Sequence, residues 1–161
     1  MNYNLISYYN DRAKEYELIY TKPERQGDLI LASQILQNVF KNKTVIEIAC
    51  GTGYWTEKLS RCAKKIMATD INDAVLTIAK EKDYSSQNVT FQQVDVFTMA
   101  GIDKQESLFG GFIWSHIQLQ DLPTFIATVN NLVDDNGLIA FIDNNFVIIF
   151  YKERSQIFGH S

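Results

Sequence analysis

Apolar positions change their period once along the chain. Over the first forty-odd residues, Leu5, Tyr9, Ala13, Tyr16 and Tyr20 recur near a helical period, and Leu29, Ala32, Ile35, Leu36, Val39 and Phe40 form a second stripe. Lys22-Pro23 separates the two, and Pro23 suits the first turn of the second helix, where its missing N–H is not needed. Two helices are therefore predicted within residues 1–43. From Thr44 onward the pattern becomes short apolar runs alternating with helical segments. Strands are predicted at Thr44–Ala49, Lys65–Asp70, Val89–Asp95, Phe112–His116 and Leu138–Asp143, with helices at Tyr54–Cys62, Asp73–Lys82 and Leu122–Val133. The crossover Phe97–Ser107 is weakly periodic and reads as loop. Runs such as Leu138-Ile139-Ala140-Phe141-Ile142 are apolar on both faces, as strands covered by helices on each side must be. The pattern predicts an α/β fold with a doubly wound, mostly parallel sheet, built as one domain over residues 1–161 with its core at 44–143 and a tail at 144–161.

Composition narrows the function classes. A chain of 161 residues that is 46% hydrophobic and 21% charged buries a real core, which excludes disorder. No apolar run reaches the ~20 residues of a membrane span, and Met1-Asn2-Tyr3-Asn4 lacks the basic and apolar regions of a signal peptide, so a cytoplasmic protein without a membrane partner is expected. The net charge of -4, with no Lys/Arg-rich run, argues against nucleic acid as a partner. Cys50 and Cys62 lack metal-ligand spacing and make no disulfide framework, so reduced thiols and no metal are expected.

The segment richest in chemistry is Val45-Ile46-Glu47-Ile48-Ala49-Cys50-Gly51-Thr52-Gly53-Tyr54-Trp55. A buried strand ends on an acid, and a loop of small residues with two glycines leads into a helix, which lets backbone approach a ligand over the carboxyl ends of the strands. A dinucleotide fingerprint needs a third small residue where Thr56 stands, and no Walker Lys-Ser/Thr follows the glycines. Glu47 would repel a phosphate and suits a ligand with an ammonium and a sulfonium charge. Asp70, closing the second strand, is placed to accept from two ribose hydroxyls and equally to serve as a helix N-terminal acid. Asp95, at the third strand end, is able to accept from an adenine amino group, with Ile71 and Val96 flanking the base. Three consecutive strand ends bearing acids are much harder to obtain by accident than one.

These residues resemble the class I S-adenosylmethionine-dependent methyltransferases. Their motif, Glu or Asp-x-Gly-x-Gly-x-Gly, is matched by Glu47-Ile48-Ala49-Cys50-Gly51-Thr52-Gly53, with Ala49 in place of the first glycine. The stretches Tyr8–Glu17, Lys22-Pro23-Glu24-Arg25-Gln26, Ala49–Thr56 and Trp114-Ser115-His116 are similar to a small bacterial branch, over roughly residues 5–147. The resemblance implies a Rossmann-like fold, S-adenosyl-L-methionine as cofactor and a small-molecule acceptor. It places Glu47, Ala49 and Gly51 at the methionine moiety, Asp70 at the ribose, and Asp95 with Val96 at the adenine. Ser115 would offer backbone near the methionine amino group, Tyr9 would close the pocket, and Cys50, Gly53 and Trp55 would complete the cofactor contacts.

The same resemblance implies two further strands after the fifth, the last antiparallel, whereas likeness ceases after Asp143-Asn144-Asn145-Phe146-Val147. Ile148–Ser161 therefore reads as a replaced or truncated end, with the final strands reduced or missing. The β-branched and aromatic run Phe146–Tyr151 is expected either to fold back beside the fifth strand or to pair with its counterpart in a second chain, the short connection favouring a homodimer. His116 is the candidate general base for an acceptor that must lose a proton, and His160 reads as a solvated residue. Two rival readings stay open: a cofactor-binding or interaction module that lost activity with its C-terminal strands, and an NAD-dependent oxidoreductase, against which Thr56 and Glu47 speak.

Overall fold

The computed structural model describes Arg12, Glu15 and residues 17–84, 87–144 and 146–153. Tyr8, Tyr9, Tyr16 and His160, named above as candidates, lie outside the described residues, as do most of the first predicted helix and the last eight residues. Pro23 opens a 3-10 turn, Pro23–Arg25, that runs directly into α1, Gln26–Val39. Its fixed φ and missing N–H cost nothing at that position. The α1 stripe buries Leu29 and Leu36, and Phe40 follows them into the core.

Beyond it the chain alternates β1 (Thr44–Ile48), α2 (Tyr54–Ser60), β2 (Lys65–Asp70), α3 (Asp73–Glu81) and β3 (Val89–Gln93), then β4 (Gln105–Gly111), α4 (Leu122–Asn131), β5 (Val133–Asp143) and β6 (Phe146–Tyr151). Among the described residues the six strands lie in the order β3-β2-β1-β4-β5-β6. The first five are parallel and β6 is antiparallel to β5. The strand order reverses direction between β1 and β4, the place where open α/β sheets bind ligands at their carboxyl ends. One face is covered by α1, α2 and α3 through Leu36, Phe40, Trp55, Leu59 and Leu76. The other is covered by α4 and the loop after β3 through Val96, Met99, Phe125 and Val129. Among the described residues no helix is long and apolar enough to cross a membrane.

The fourth strand is the main correction. It runs Gln105–Gly111, not Phe112–His116, and the latter segment is a turn at Phe112 (φ 55°) followed by a 3-10 turn at Trp114–His116. Propensity misleads here because Phe-Ile-Trp reads as strand while the true strand ends in two glycines. Packing requires those glycines: a Cβ at Gly110 would lie 2.8 Å from the Phe141 ring, and one at Gly111 2.8 Å from the Trp55 ring. The other boundaries shift less. β1 stops at Ile48, since Ala49 adopts φ 52°, and β3 stops at Gln93. α4 ends at Asn131, and β5 begins at Val133, five residues before the predicted start.

The tail is the second correction. β6 folds back on β5 within the chain, Asp143 opposite Phe146 and Leu138 opposite Tyr151. The short connection favours this hairpin instead of hindering it, because antiparallel neighbours need only a two-residue turn. The fifth strand is thereby protected without a second chain. The exposed apolar residues now lie on β6, at Ile148, Ile149, Phe150 and Tyr151, on both faces of the edge strand.

Candidate functional site

β1 carries Glu47 on its helix-covered face, where it is 1% exposed. The Thr56 hydroxyl, one turn into α2, donates to Glu47 Oε2 at 2.6 Å. Thr56 is thus held by its polar group, which explains why a residue too large for a dinucleotide fingerprint stands there. Burial pushes the Glu47 carboxyl up to about 8; the Thr56 hydrogen bond opposes this, the charge of Asp70 adds to it, and Lys82 opposes it.

The loop after β1 turns on three left-handed residues: Ala49 (φ 52°), Gly51 (φ 55°) and Gly53 (φ 82°). Ala49 accepts a conformation that glycine adopts at less cost. Gly51 and Gly53 serve different ends. A Cβ at Gly53 would meet the Tyr84 hydroxyl at 2.7 Å and Ala79 Cβ at 3.1 Å, whereas a Cβ at Gly51 would meet nothing within 4 Å. Gly53 is therefore required by packing, and Gly51 borders open space. Cys50 donates its N–H to Thr69 O at 2.9 Å and its thiol to the Gly51 carbonyl at 3.7 Å, and its side chain belongs to the same buried cluster as Trp55, Leu59 and Ala68. Burial raises the Cys50 pKa well above the ordinary thiol range.

Asp70 fastens the loop to the end of β2. Its Oδ2 accepts from the Gly51 N–H and its Oδ1 from the Asn72 N–H, both at 2.9 Å. Burial raises its pKa, and these backbone donors, with that of Ile71, oppose the shift. The cap of α3 is Asn72, whose side chain accepts from the Ala74 N–H at 3.0 Å. Of the two roles open to Asp70, helix capping has passed to its neighbour, and the carboxylate organises the loop. Each carboxylate oxygen has lone pairs left for a ligand hydroxyl. Asp95, two residues past β3, folds its Oδ1 onto the Phe97 N–H at 2.9 Å. The Val94 N–H donates to Asp70 O at 2.9 Å, which keeps the Asp70 and Asp95 ends side by side. Ile71 is half-buried, its carbonyl accepting from Gln93 Nε2, and Val96 is buried beneath the opposite face.

Ser115 is exposed and His116 half-buried in the turn after β4. Burial lowers the His116 pKa and the nearby charge of Asp143 pulls it back up. Trp55 packs at the centre of an aromatic cluster with Tyr20, Tyr54, Phe109 and Phe112, Tyr20 and Tyr54 being stacked with centroids 3.9 Å apart. Glu17 escapes a pattern-based reading. Its Oε1 accepts from the Thr52 hydroxyl and pairs with Lys82 Nζ at 2.7 Å, tying the N-terminal segment to the glycine loop and to the end of α3. Thr56 and Asn72 were equally invisible as partners, since such contacts join residues distant along the chain or hidden inside a helical stripe.

Residues 45–137 match the family model described as methyltransferase domain, which is more than half of the chain. The chain belongs to this methyltransferase family. Among solved structures, the complex of DhpI with SAH is similar with a TM-score of 0.76 at 28% identity, covering 84% of this chain and 65% of that one. The N-methyltransferase NodS from Bradyrhizobium japonicum WM9, in complex with S-adenosyl-L-homocysteine, shares the fold with a TM-score of 0.61 at 15% identity, over 68% of this chain and 59% of that one. Ribosomal RNA small subunit methyltransferase A of Mesomycoplasma hyopneumoniae (strain 232) is 34% identical over 80 residues, 49% of this chain and 30% of that protein. The methyltransferase domain thus spans less than two thirds of these relatives' lengths.

Proposed function

We propose that this domain binds S-adenosylmethionine over the carboxyl ends of β1, β2 and β3 and transfers its methyl group to a small-molecule acceptor. The observation that carries this is the open space beside Gly51, a left-handed glycine whose N–H is held by Asp70 and whose missing Cβ leaves the loop face clear. Asp70 and Asp95 suit the ribose hydroxyls and adenine amino group of such a ligand, and Glu47, kept neutral by burial in the empty domain, suits the ammonium once that positive charge favours its carboxylate form; Ala49, Cys50 and Gly53 shape the loop, Ile71 and Val96 lie beside the base, and Ser115 near the methionine end. The similarity to an SAH-bound protein supports the same cofactor.

The cofactor supplies a methyl group on a sulfonium, a good leaving group, so no nucleophilic side chain is needed. The domain's residues hold the ligand and acceptor in line and exclude water. His116, its pKa lowered by burial, is neutral at ordinary pH and able to take a proton where the acceptor must lose one. A small acceptor is favoured over RNA by the net charge of -4, although one relative is named for ribosomal RNA.

Titration calorimetry with S-adenosylhomocysteine and with NAD, followed by a labelled-methyl transfer assay, tests the reading. Selective binding of the homocysteine with turnover supports it. Binding without turnover would leave a cofactor-binding module, and NAD binding alone would indicate an oxidoreductase.

A further inference from the structure

A cavity of about 350 Å³ lies between α1, the start of α2 and the carboxyl ends of β4 and β5. That is the size of a small-molecule site. Ala32 and Ile35 of α1 form one wall, Ile142 and Val147 of the β5–β6 hairpin another, and Trp55 and Phe112 an aromatic end. Its charged lining residues are Arg25, Asp28 and Asp143, two acids against one base. Asp143, the last residue of β5, is only 8% exposed. Its Oδ1 accepts from the Asn144 N–H at 2.8 Å, but its Oδ2 has no hydrogen-bond partner among the described residues. A buried carboxylate oxygen left without a donor is costly and gives the cavity beside it a negative potential. The indole N–H of Trp55, 3% exposed, likewise finds no acceptor among the described residues. The aromatic end already holds one cation, since the Arg25 guanidinium lies 5.5 Å from the centroid of the Phe112 ring.

We propose that this cavity is the acceptor subsite and that it selects a small acceptor carrying an amine, with Asp143 as the carboxylate that attracts the amine. The unpaired carboxylate oxygen calls for a donor, and a protonated amine offers one. Asp28 adds to the attraction for the cation, and Arg25, held over the Phe112 ring, opposes it. The naming of the cavity as an acceptor subsite rests on the methyl-transfer reading above, whereas the preference for an amine rests on the cavity alone.

Ethanolamine and ethylene glycol have nearly the same shape and differ in the charge, which makes them suitable probes. In isotope-labelled protein, with and without S-adenosylhomocysteine, ethanolamine should shift the Trp55 indole and Asn144 amide signals and leave the Trp114 indole unmoved. Ethylene glycol should need at least about tenfold higher concentration for the same shift, and Asp143→Asn should abolish that preference while affinity for S-adenosylhomocysteine stays unchanged. If Asp143→Asn fails to fold, Asp28→Asn on the exposed start of α1 carries the test with a smaller weakening, about threefold. Equal response to both probes, shifts scattered over the acidic surface, or a preference that survives substitution would overturn the inference. An amine preference without homocysteine binding would leave the cation site standing and overturn the methyl-transfer reading. Homocysteine binding without an amine preference would do the reverse.

Discussion

The carboxyl ends of β1 to β3 and the end of β5 lie on one rim of one sheet, yet they treat their acids differently. At the first, each acid accepts at least one hydrogen bond from the domain itself, Glu47 from Thr56, Asp70 from the Gly51 and Asn72 amides and Asp95 from the Phe97 amide, and none of them keeps a buried oxygen without a partner among the described residues. At the second, among the described residues, Asp143 Oδ2 is left without a donor and the Trp55 indole without an acceptor, and apolar β6 residues lie exposed. Internal hydrogen bonds preorganise a loop before any ligand arrives, so a ligand there gains affinity without ordering the backbone. A rim with unpaired groups gains instead when an outside molecule satisfies them.

The sharpest break of this comparison is at the two glycines. Gly51→Val should abolish measurable S-adenosylhomocysteine binding in calorimetry, because the side chain enters the open space and a β-branched residue is strained at φ 55°. Its melting temperature should fall by only a few degrees, whereas Gly53→Ala, facing Tyr84 and Ala79, should cost stability first. A Gly51→Val protein that binds normally would remove the loop from the ligand site.

Asp70→Ala should weaken the same ligand by about 1.5–3 kcal/mol, the scale for losing a hydrogen bond to a charged group. It also frees the amides of Gly51 and Asn72. Unchanged affinity with an intact circular dichroism spectrum would show that Asp70 only braces the loop.

The buried Glu47 makes a smaller, pH-dependent effect. Burial pushes its carboxyl up to about 8 from 4.5 ordinarily, so between those values the folded form keeps a proton that the unfolded chain has lost. Stability should therefore fall as pH rises across that window and level off above it. The raised pKa of Asp70 acts in the same direction. Glu47→Gln should flatten the slope of melting temperature against pH, and an unchanged slope would place the titration elsewhere. Smallest of all, Tyr151→Lys at the exposed end of β6, where the side chain is 67% exposed, should change stability by only about 0.5 kcal/mol in denaturant melts, since little burial is lost. A much larger loss would mean that a second chain covers this edge.

The glycine-loop rim is legible as a structure because its information is local. A strand, an acid, small residues and a helix follow one another within the eleven residues from Val45 to Trp55, and periodicity alone marks the parallel sheet. The fourth strand was misread because local propensity favours Phe-Ile-Trp, while contacts with Phe141 and Trp55 demand the glycines before it. From the sequence Asp70 reads equally as a ribose acceptor and as a helix N-terminal acid; only the fold shows that Asn72 caps α3 and that Asp70 holds the Gly51 and Asn72 amides.

By itself, the sequence determined the alternation of strands and helices, the acids at three strand ends and the glycine loop, since hydrophobic period and turn chemistry act over a few residues. Tertiary structure alone decided that β6 closes on β5 within the chain, that Glu17 reaches Thr52 and Lys82, and that Asp143, Trp55 and Arg25 line one cavity. Those outcomes join residues far apart along the chain. They depend on which surfaces the folded sheet brings together, a quantity that no local pattern encodes.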